Sequence, residues 1–329
     1  MITIKKYNKK HAKKWDSFVT TSNNGTIFQT QKFLAYHINR QFNDCSLMIE
    51  NNEKIIAVLP GVKKTSAGLA TFYSHPGSSY GGFVIKSGLP FKIINEIIES
   101  VDIYLIKKKF NSIFLINSPS IYWQSENHAL DYLLQWNKYQ IKEIYISHAV
   151  NIGACHNVGN LLSKRKKRYI LNDSKLKNFM FKKTGDENEI SQFYILLKDA
   201  KKKFSTTPTH SLEELIKLKH LFPNSIDIYI SILDNDIVGG CVIFHTTRKT
   251  SLVFYNIINP KIQNSQLSVL QLYNSMIICK KRGAVVVDFG VSHNPEQDNP
   301  LEPKLSLIQF KEQFGAQGII RLAYKKDYS

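Results

Sequence analysis

The sequence predicts an α/β protein with α+β mixed sheets, built from two tandem copies of one unit. Three observations carry that prediction. A strand–turn–strand pattern occurs twice, the same succession of strands and helices follows each occurrence, and the composition is globular at a length that allows two cores. The chain has 329 residues, 43% apolar and 21% charged, which suits two domains of ordinary size and excludes a disordered chain.

The elements are read in order. Met1–Trp15 is rich in lysine and has no apolar stretch, so it is not read as a secretory signal. Ser46–Val62 reads as strand, turn and strand, with polar Asn51-Asn52-Glu53-Lys54 between two apolar runs. Asp227–His245 reads the same way around Asp234-Asn235-Asp236. When Ile55 is aligned with Ile237, Thr71–Ser74 falls on Val253–Asn256, a further apolar strand in each copy. Phe91–Phe110 then shows helical periodicity through Ile94, Ile97, Ile98, Val101 and Leu105, and the strand Ser112–Asn117 follows it. Its counterpart is the helix Leu267–Arg282, with Gly283 as C-cap, leading into the strand Ala284–Phe289. Each copy closes with a helix and a strand: Asn127–Trp136 with Ile141–His148, and Lys304–Phe314 with Gly318–Lys325. The first copy carries extra residues, His75–Gly82, in a Gly/Ser/Pro-rich loop of the kind that hosts binding. The connection Asn151–Tyr169 ends in a basic run, which places the two domains at residues 1–160 and 161–329.

The composition narrows the function classes. No stretch reaches the roughly 18–20 apolar residues that crossing a bilayer needs, so a cytoplasmic protein is expected. Cys45, Cys155, Cys241 and Cys279 have neither CxxC nor Cys/His spacing, which argues against zinc and against a disulfide framework. Cys241 and Cys279 sit in apolar runs and read as core. Lysine and arginine exceed acids by 44 to 26, a net +18, which favours nucleic acid, phosphorylated sugars or an anionic membrane surface as partners.

Four motifs in this order resemble the FemAB-like branch of the GNAT acyltransferases, tandem-GNAT proteins that act on cell-envelope precursors. They are Trp15–Val19 through Asn24–Thr30, the His75–Gly82 loop, Asp288-Phe289-Gly290, and Phe310–Ala316. The resemblance covers essentially the whole chain. It implies an acyltransferase that forms an amide on an amino sugar or peptide of a nucleotide-linked or lipid-linked glycan precursor, with the first domain on the acceptor side and the transfer centre in the second. No tightly bound cofactor is implied; the donor is acyl-CoA or aminoacyl-tRNA, so tRNA is one expected partner. Peripheral contact with the anionic inner membrane face is another. The stretches Ile85–Lys92 and Asn259–Ser268 lack the Q/R-x-x-G-x-G/A loop with which GNAT enzymes hold a pyrophosphate at a helix N-terminus, which leaves the donor undecided. The chain also lacks the long helical arm of the larger peptidoglycan-bridge enzymes.

Amide formation needs a free amine, a proton acceptor and donors for the developing oxyanion. The resemblance implies Lys311 as the functional cation, against the alternative of a solvated helix lysine. Tyr255 lies on the strand that carries the donor carbonyl in GNAT enzymes, or packs as a core aromatic; its repeat mate Tyr73 packs. His210 precedes a helix whose Ser211 and Glu214 have capping-box spacing, and is a base candidate or an exposed loop residue. Asp288, read as ending its strand, can accept from the amine or orient His293, which follows with Ser292, or can be structural. His75, Ser78, Ser79 and Tyr80 are candidates for lining the acceptor cleft, or form a glycine-rich turn. Arg168, with Lys167, is a candidate phosphate ligand or part of a solvated helix face. Two other readings stay open: an RNA-binding protein using Lys164–Arg168, and an inactive tandem unit that serves as an assembly partner.

Overall fold

The computed structural model describes residues 1–172, 178–203, 206–246, 249–262, 266–293 and 299–328. Its elements run β1 (Ile2–Lys6), α1 (Ala12–Thr21), α2 (Gln31–Leu34), β2 (Leu47–Asn51), β3 (Lys54–Leu59), β4 (Val62–Ser66), β5 (Leu69–Ser74), β6 (Val84–Ile85), α3 (Phe91–Lys107), β7 (Ser112–Ile116), α4 (Ala129–Trp136) and β8 (Gln140–Asn151). They continue with α5 (Lys164–Asn172), β9 (Phe179–Thr184), α6 (Glu187–Lys202), α7 (Leu212–Leu221), β10 (Ile226–Leu233), β11 (Asp236–His245) and β12 (Thr250–Ile258). The last four are α8 (Leu267–Lys281), β13 (Val286–Val291), α9 (Leu305–Glu312) and β14 (Gln317–Asp327). Packing divides the chain into Met1–Tyr145 with Ile320–Ser329, and Ile146–Ile319, where the sequence suggested a division after residue 160.

In the first unit, β1, β2, β3 and β6 form one antiparallel sheet. A second sheet pairs β4 with β5 antiparallel, β5 with β7 parallel, and β7 with the Ala323–Asp327 part of β14 antiparallel. The parallel pair requires a crossover, which α3 supplies. The i, i+3, i+4 spacing of Ile94, Ile97, Ile98, Val101 and Leu105 puts five fully buried side chains on the α3 face that meets Phe72, Ile113 and Leu115. A polar clasp closes this core: Asp102 of α3 accepts from Tyr139 Oη at 2.6 Å, Lys326 Nζ at 2.6 Å and Tyr328 Oη at 2.8 Å.

The second unit has the strand sequence β9-β10-β11-β12-β13-β8, antiparallel except for the parallel β12–β13 pair that α8 bridges. Leu272, Met276 and Cys279 of α8 pack on Cys241 and Ile243 of β11, so both of these cysteines are core. Gly240 permits this sheet, since a Cβ there would sit 2.4 Å from the Tyr229 carbonyl oxygen. Gly283 ends the α8 segment at φ 81°, as a C′ glycine does.

The repeat extends beyond what the pattern showed. The succession β1–α1–α2–β2–β3 recurs as β9–α6–α7–β10–β11. The hairpins fall where expected, but the first copy departs from a single sheet: β3 pairs β6, and β5 takes β4 as its other neighbour. Ala67-Gly68, both at positive φ, makes the turn that adds β4. Among the described residues no helix is long and apolar enough to cross a membrane.

Candidate active site

The two copies differ at their parallel strands. In the first unit β5 and β7 stay paired to the end of β5, through Ser74–Leu115. The His75–Gly82 loop then folds over that end, where Gly81 N–H donates to the Ile116 carbonyl at 2.8 Å and Gly82 N–H to Ser74 Oγ at 2.8 Å. In the second unit β12 and β13 pair only from Thr250–Val286 to Leu252–Asp288. Past that point they part, and Val253–Ile257 on one side and Phe289 and Val291 on the other line a cavity of about 940 Å³. This is within the size range of small-molecule sites.

Local chemistry explains the parting. Gly290 adopts φ 75°, a conformation that favours glycine, and its N–H donates to Asp288 Oδ1 at 2.7 Å. The turn shifts the register of β13 against β8 between Asp288 and Val291. Lys311 of α9 ties down the diverted segment, its Nζ donating to the carbonyls of Gly290 (2.7 Å) and Val291 (2.9 Å) and to Ser292 Oγ (2.9 Å). Phe314, four residues beyond Phe310 in the chain, packs edge-on against Phe289. The Asp-Phe-Gly and Phe-Lys-x-x-Phe motifs are therefore two halves of one joint. Asp288 lies inside β13 rather than at its end, fully buried, and its carboxylate shapes this turn.

On the opposite wall, β12 carries a bulge: Val242 faces Tyr255 and Ile243 faces Val253, so Phe254 is the extra residue. The bulge sets Phe254 and Tyr255 side by side in the cavity wall. The Tyr255 hydroxyl accepts from the backbone N–H of Thr209 (3.0 Å) and of His210 (3.3 Å), and bonds His210 Nδ1 at 3.1 Å. The Ser211–Glu214 capping box that starts α7 fixes this loop, as the spacing predicted. His210 is 3% exposed, so the sequence alternative of an exposed loop histidine does not hold.

Electrostatics in the cavity are set by burial. Lys311 is 4% exposed, and desolvation pulls its ammonium down to about 8. Burial pushes the Tyr255 phenol up to about 12, so it stays protonated at neutral pH and can donate. His148, which the sequence reading passed over, bonds Ser292 Oγ at 2.8 Å through Nδ1. Burial and the nearby Lys311 ammonium hold its proton affinity below the ordinary imidazole value. Ser292 thus bridges Lys311 to a largely neutral imidazole. Lys201, Lys304 and His293 also line the cavity, opposed by Glu302. Burial and Lys304 lower the Lys201 ammonium, and a cavity with this lining suits an anionic ligand.

The structure thus gathers Lys311, Tyr255 and His293 in the cavity wall, with Asp288, Ser292 and His210 bonded just behind it. His293 is held by its Nδ1 contact to the Pro300 carbonyl at 2.9 Å. The other candidates are not in this lining. His75 and Tyr80 are buried in the first unit; His75 Nδ1 accepts from Gly77 N–H at 3.1 Å, and burial lowers its imidazole to about 3. Ser78 Oγ donates to the Phe28 carbonyl at 2.8 Å, and Ser79 is half-buried. Tyr73 stacks on Phe114 with centroids 4.7 Å apart. Arg168 is exposed on α5. Of the stretch Asn259–Ser268, residues 263–265 lie outside the described residues. Two cavity residues were missed from sequence, Lys201 and Lys304, because basic residues near helix ends are common in this chain; His148, which meets Ser292 from within β8, carries no local signal either.

Among solved structures, the chain is similar to FemX at 12% identity and TM-score 0.72, covering 99% of this chain and 97% of that one. A tandem GNAT protein from the clavulanic acid biosynthesis pathway matches at 9% identity and TM-score 0.56, covering 99% and 98%. L-PGS from Bacillus licheniformis matches at 11% identity and TM-score 0.57, covering 95% and 90%. No protein-family model and no curated protein matches the chain.

Proposed function

For a chain with the FemAB-like tandem GNAT fold, we propose acyl or aminoacyl transfer at the β12–β13 opening, forming an amide on an amine of a bacterial cell-envelope glycan precursor. One observation carries this reading. Only in the second unit do the parallel strands part, and the opening leads to a cavity that meets a buried lysine and a hydrogen-bonded tyrosine.

The chemistry follows from the groups present. The donor carbonyl enters beyond Leu252 and Asp288, where backbone groups of β12 are no longer engaged by β13 and can polarise it. The amine nitrogen bonds to the carbonyl carbon, and the bond to the leaving sulfur or oxygen breaks. Tyr255, kept protonated by burial, hydrogen-bonds the leaving atom and supplies it with a proton. The Lys311 ammonium stabilises the negative charge, and as it passes a proton through Ser292 to the neutral His148 imidazole it can take up the proton that the amine loses. Lys201, Lys304 and His293 fit an anionic acceptor such as a nucleotide-linked or lipid-linked sugar. The donor is acyl-CoA or aminoacyl-tRNA, and the exposed cations of α5 fit a tRNA backbone or an anionic membrane face at the cytoplasmic side.

Intact-mass analysis of nucleotide-linked and lipid-linked glycan precursors tests the proposal in cells with and without the protein. A mass increment lost with the protein, and not restored by Lys311→Met, is expected. Identical precursor masses in both strains would overturn it.

A further inference from the structure

The part of β12 that opens onto the cavity is held from α8 by buried polar side chains. Gln271 of α8, fully buried, donates through Nε2 to the carbonyls of Gly240 (3.0 Å) and Ile257 (3.2 Å) and to Asn256 Oδ1 (2.5 Å). Its Oε1 accepts from Ser231 Oγ at 2.6 Å. Ser275, one helical turn on, donates to the Gln271 carbonyl at 2.9 Å.

Strand alternation accounts for the meeting. Cys241 and Ile243 of β11 face α8, and Asn256 is the register partner of Cys241, so it stands on the same face. Tyr255, one residue earlier, points to the other face and meets His210. Both residues line the cavity.

These bonds fix which way each amide points. Backbone carbonyls only accept, so the Gln271 atom that faces Gly240 and Ile257 is its NH2 group. The Asn256 atom that meets this NH2 is then the oxygen, and the nitrogen is turned away from α8. Asn256 is half-buried in the cavity wall, and its Nδ2 has no hydrogen-bond partner among the described residues. Around it the wall on the α8 face is apolar, formed by Val253, Leu272, Phe289 and Phe310. The closed first copy is built differently. Ser74 occupies the place of Asn256 in the repeat, its Oγ is engaged by Gly82 N–H, and the buried face of α3 is apolar from Ile94 through Val101.

We propose that Asn256 is a specificity-determining residue of the cavity, whose Nδ2 donates to an uncharged acceptor oxygen of the bound ligand, and that Gln271 is a positioning residue that keeps this amide from turning over. A ligand group that only donates, such as an ammonium, is disfavoured at this place. That the ligand is an acyl donor rests on the reading above; the fixed amide does not.

The test is equilibrium binding to the full chain of two probes, acetyl-CoA and puromycin, an amide-linked aminoacyl nucleoside. At least one should bind. Asn256→Asp keeps an oxygen toward Gln271 but turns an acceptor toward the cavity, and should weaken binding about ten- to a hundredfold. Asn256→Leu, which adds no charge, should weaken it about tenfold. Gln135→Glu, on the exposed side of α4, adds the same charge elsewhere and should change binding less than twofold. Gln271→Met lets the amide rotate, so the donating orientation is populated part of the time and binding should fall about two- to fivefold. In the Asn256→Leu background the same substitution should have no further effect, whereas a merely structural role would cost as much in both. Thermal melting of each variant confirms that it is folded. Binding of neither probe, wild-type affinity in Asn256→Leu, equal losses in Asn256→Asp and Gln135→Glu, or an undiminished effect of Gln271→Met without Asn256 would overturn the proposal. The precursor masses report on the reaction and not on this amide, so the two readings fail separately.

Discussion

Replacing Lys311 by methionine tests the joint between α9 and β13 most directly. Methionine fills much the same volume and removes three donors. Ser292 Oγ keeps its His148 contact, so the carbonyls of Gly290 and Val291 bear the loss, at about 1–3 kcal/mol each for a buried acceptor. Against this, the folded state no longer holds a desolvated ammonium. The descent from 10.5 to about 8 corresponds to about 3 kcal/mol. The two contributions oppose each other, so the net effect expected at pH 7 lies between a stabilisation of about 1 kcal/mol and a destabilisation of about 3 kcal/mol. The pH dependence is more diagnostic. Below about 8 both folded and unfolded chains keep the Lys311 proton, and the desolvation cost is present in full. Between about 8 and 10.5 the unfolded chain binds more protons than the folded one, so this contribution to stability rises with pH. Urea midpoints of wild type and Lys311→Met, compared at pH 7 and pH 10, should therefore diverge in favour of wild type by up to about 3 kcal/mol. Parallel pH profiles for the two proteins would refute the buried, desolvated ammonium and the joint built on it.

Gly290→Ala should lose about 1–2 kcal/mol by denaturant titration, because φ 75° is disfavoured for alanine while Leu252 Cδ1, at 4.0 Å, leaves room for the methyl group. Transfer activity should fall with it as β13 straightens, and a fully active, fully stable variant would contradict that origin of the opening. Tyr255→Phe leaves the N–H groups of Thr209 and His210 without their acceptor, so about 1–3 kcal/mol should be lost in thermal or urea melts. Turnover should drop further than the folded fraction accounts for. Asp102→Ala removes the acceptor shared by Tyr139, Lys326 and Tyr328; about 2–4 kcal/mol should be lost, with hydrogen exchange rising first along β14. Asp227 is buried, which by itself raises its carboxyl, but bonds from His245 and Lys183 outweigh burial and hold it well below the ordinary value. Its stabilisation is present above 3.8 and is lost as the pH falls below that, so Asp227→Asn should flatten the acid limb of the stability profile.

Much of the fold could be read along the chain because its signals are local. The α3 stripe from Ile94 to Leu105, the Ser211–Glu214 box and the Gly283 cap depend on neighbours within a few residues, and each sits where its spacing placed it. The internal repeat needed only the recurrence of such signals. The candidate site was less legible. Lys311, Tyr255 and His210 could be nominated from motif and position, but the contacts that define their surroundings come from residues distant in sequence: Gly290 and Ser292 for Lys311, Thr209 for Tyr255.

What the sequence by itself determined is the order of elements, the duplication and the residues eligible for chemistry, since periodicity and turn chemistry act over short range. Only the tertiary structure decided which copy opens. The strands β5–β7 and β12–β13 carry the same pattern, and their difference lies in whether pairing lasts to the end of the first strand, as at Ser74–Leu115, or stops partway along it, as at Leu252–Asp288. That outcome is set by a positive-φ glycine, a carboxylate that accepts its N–H, and a lysine from another helix. Tertiary packing likewise made Lys311 a buried ammonium at about 8, because desolvation depends on everything around a charge and not on its place in the chain.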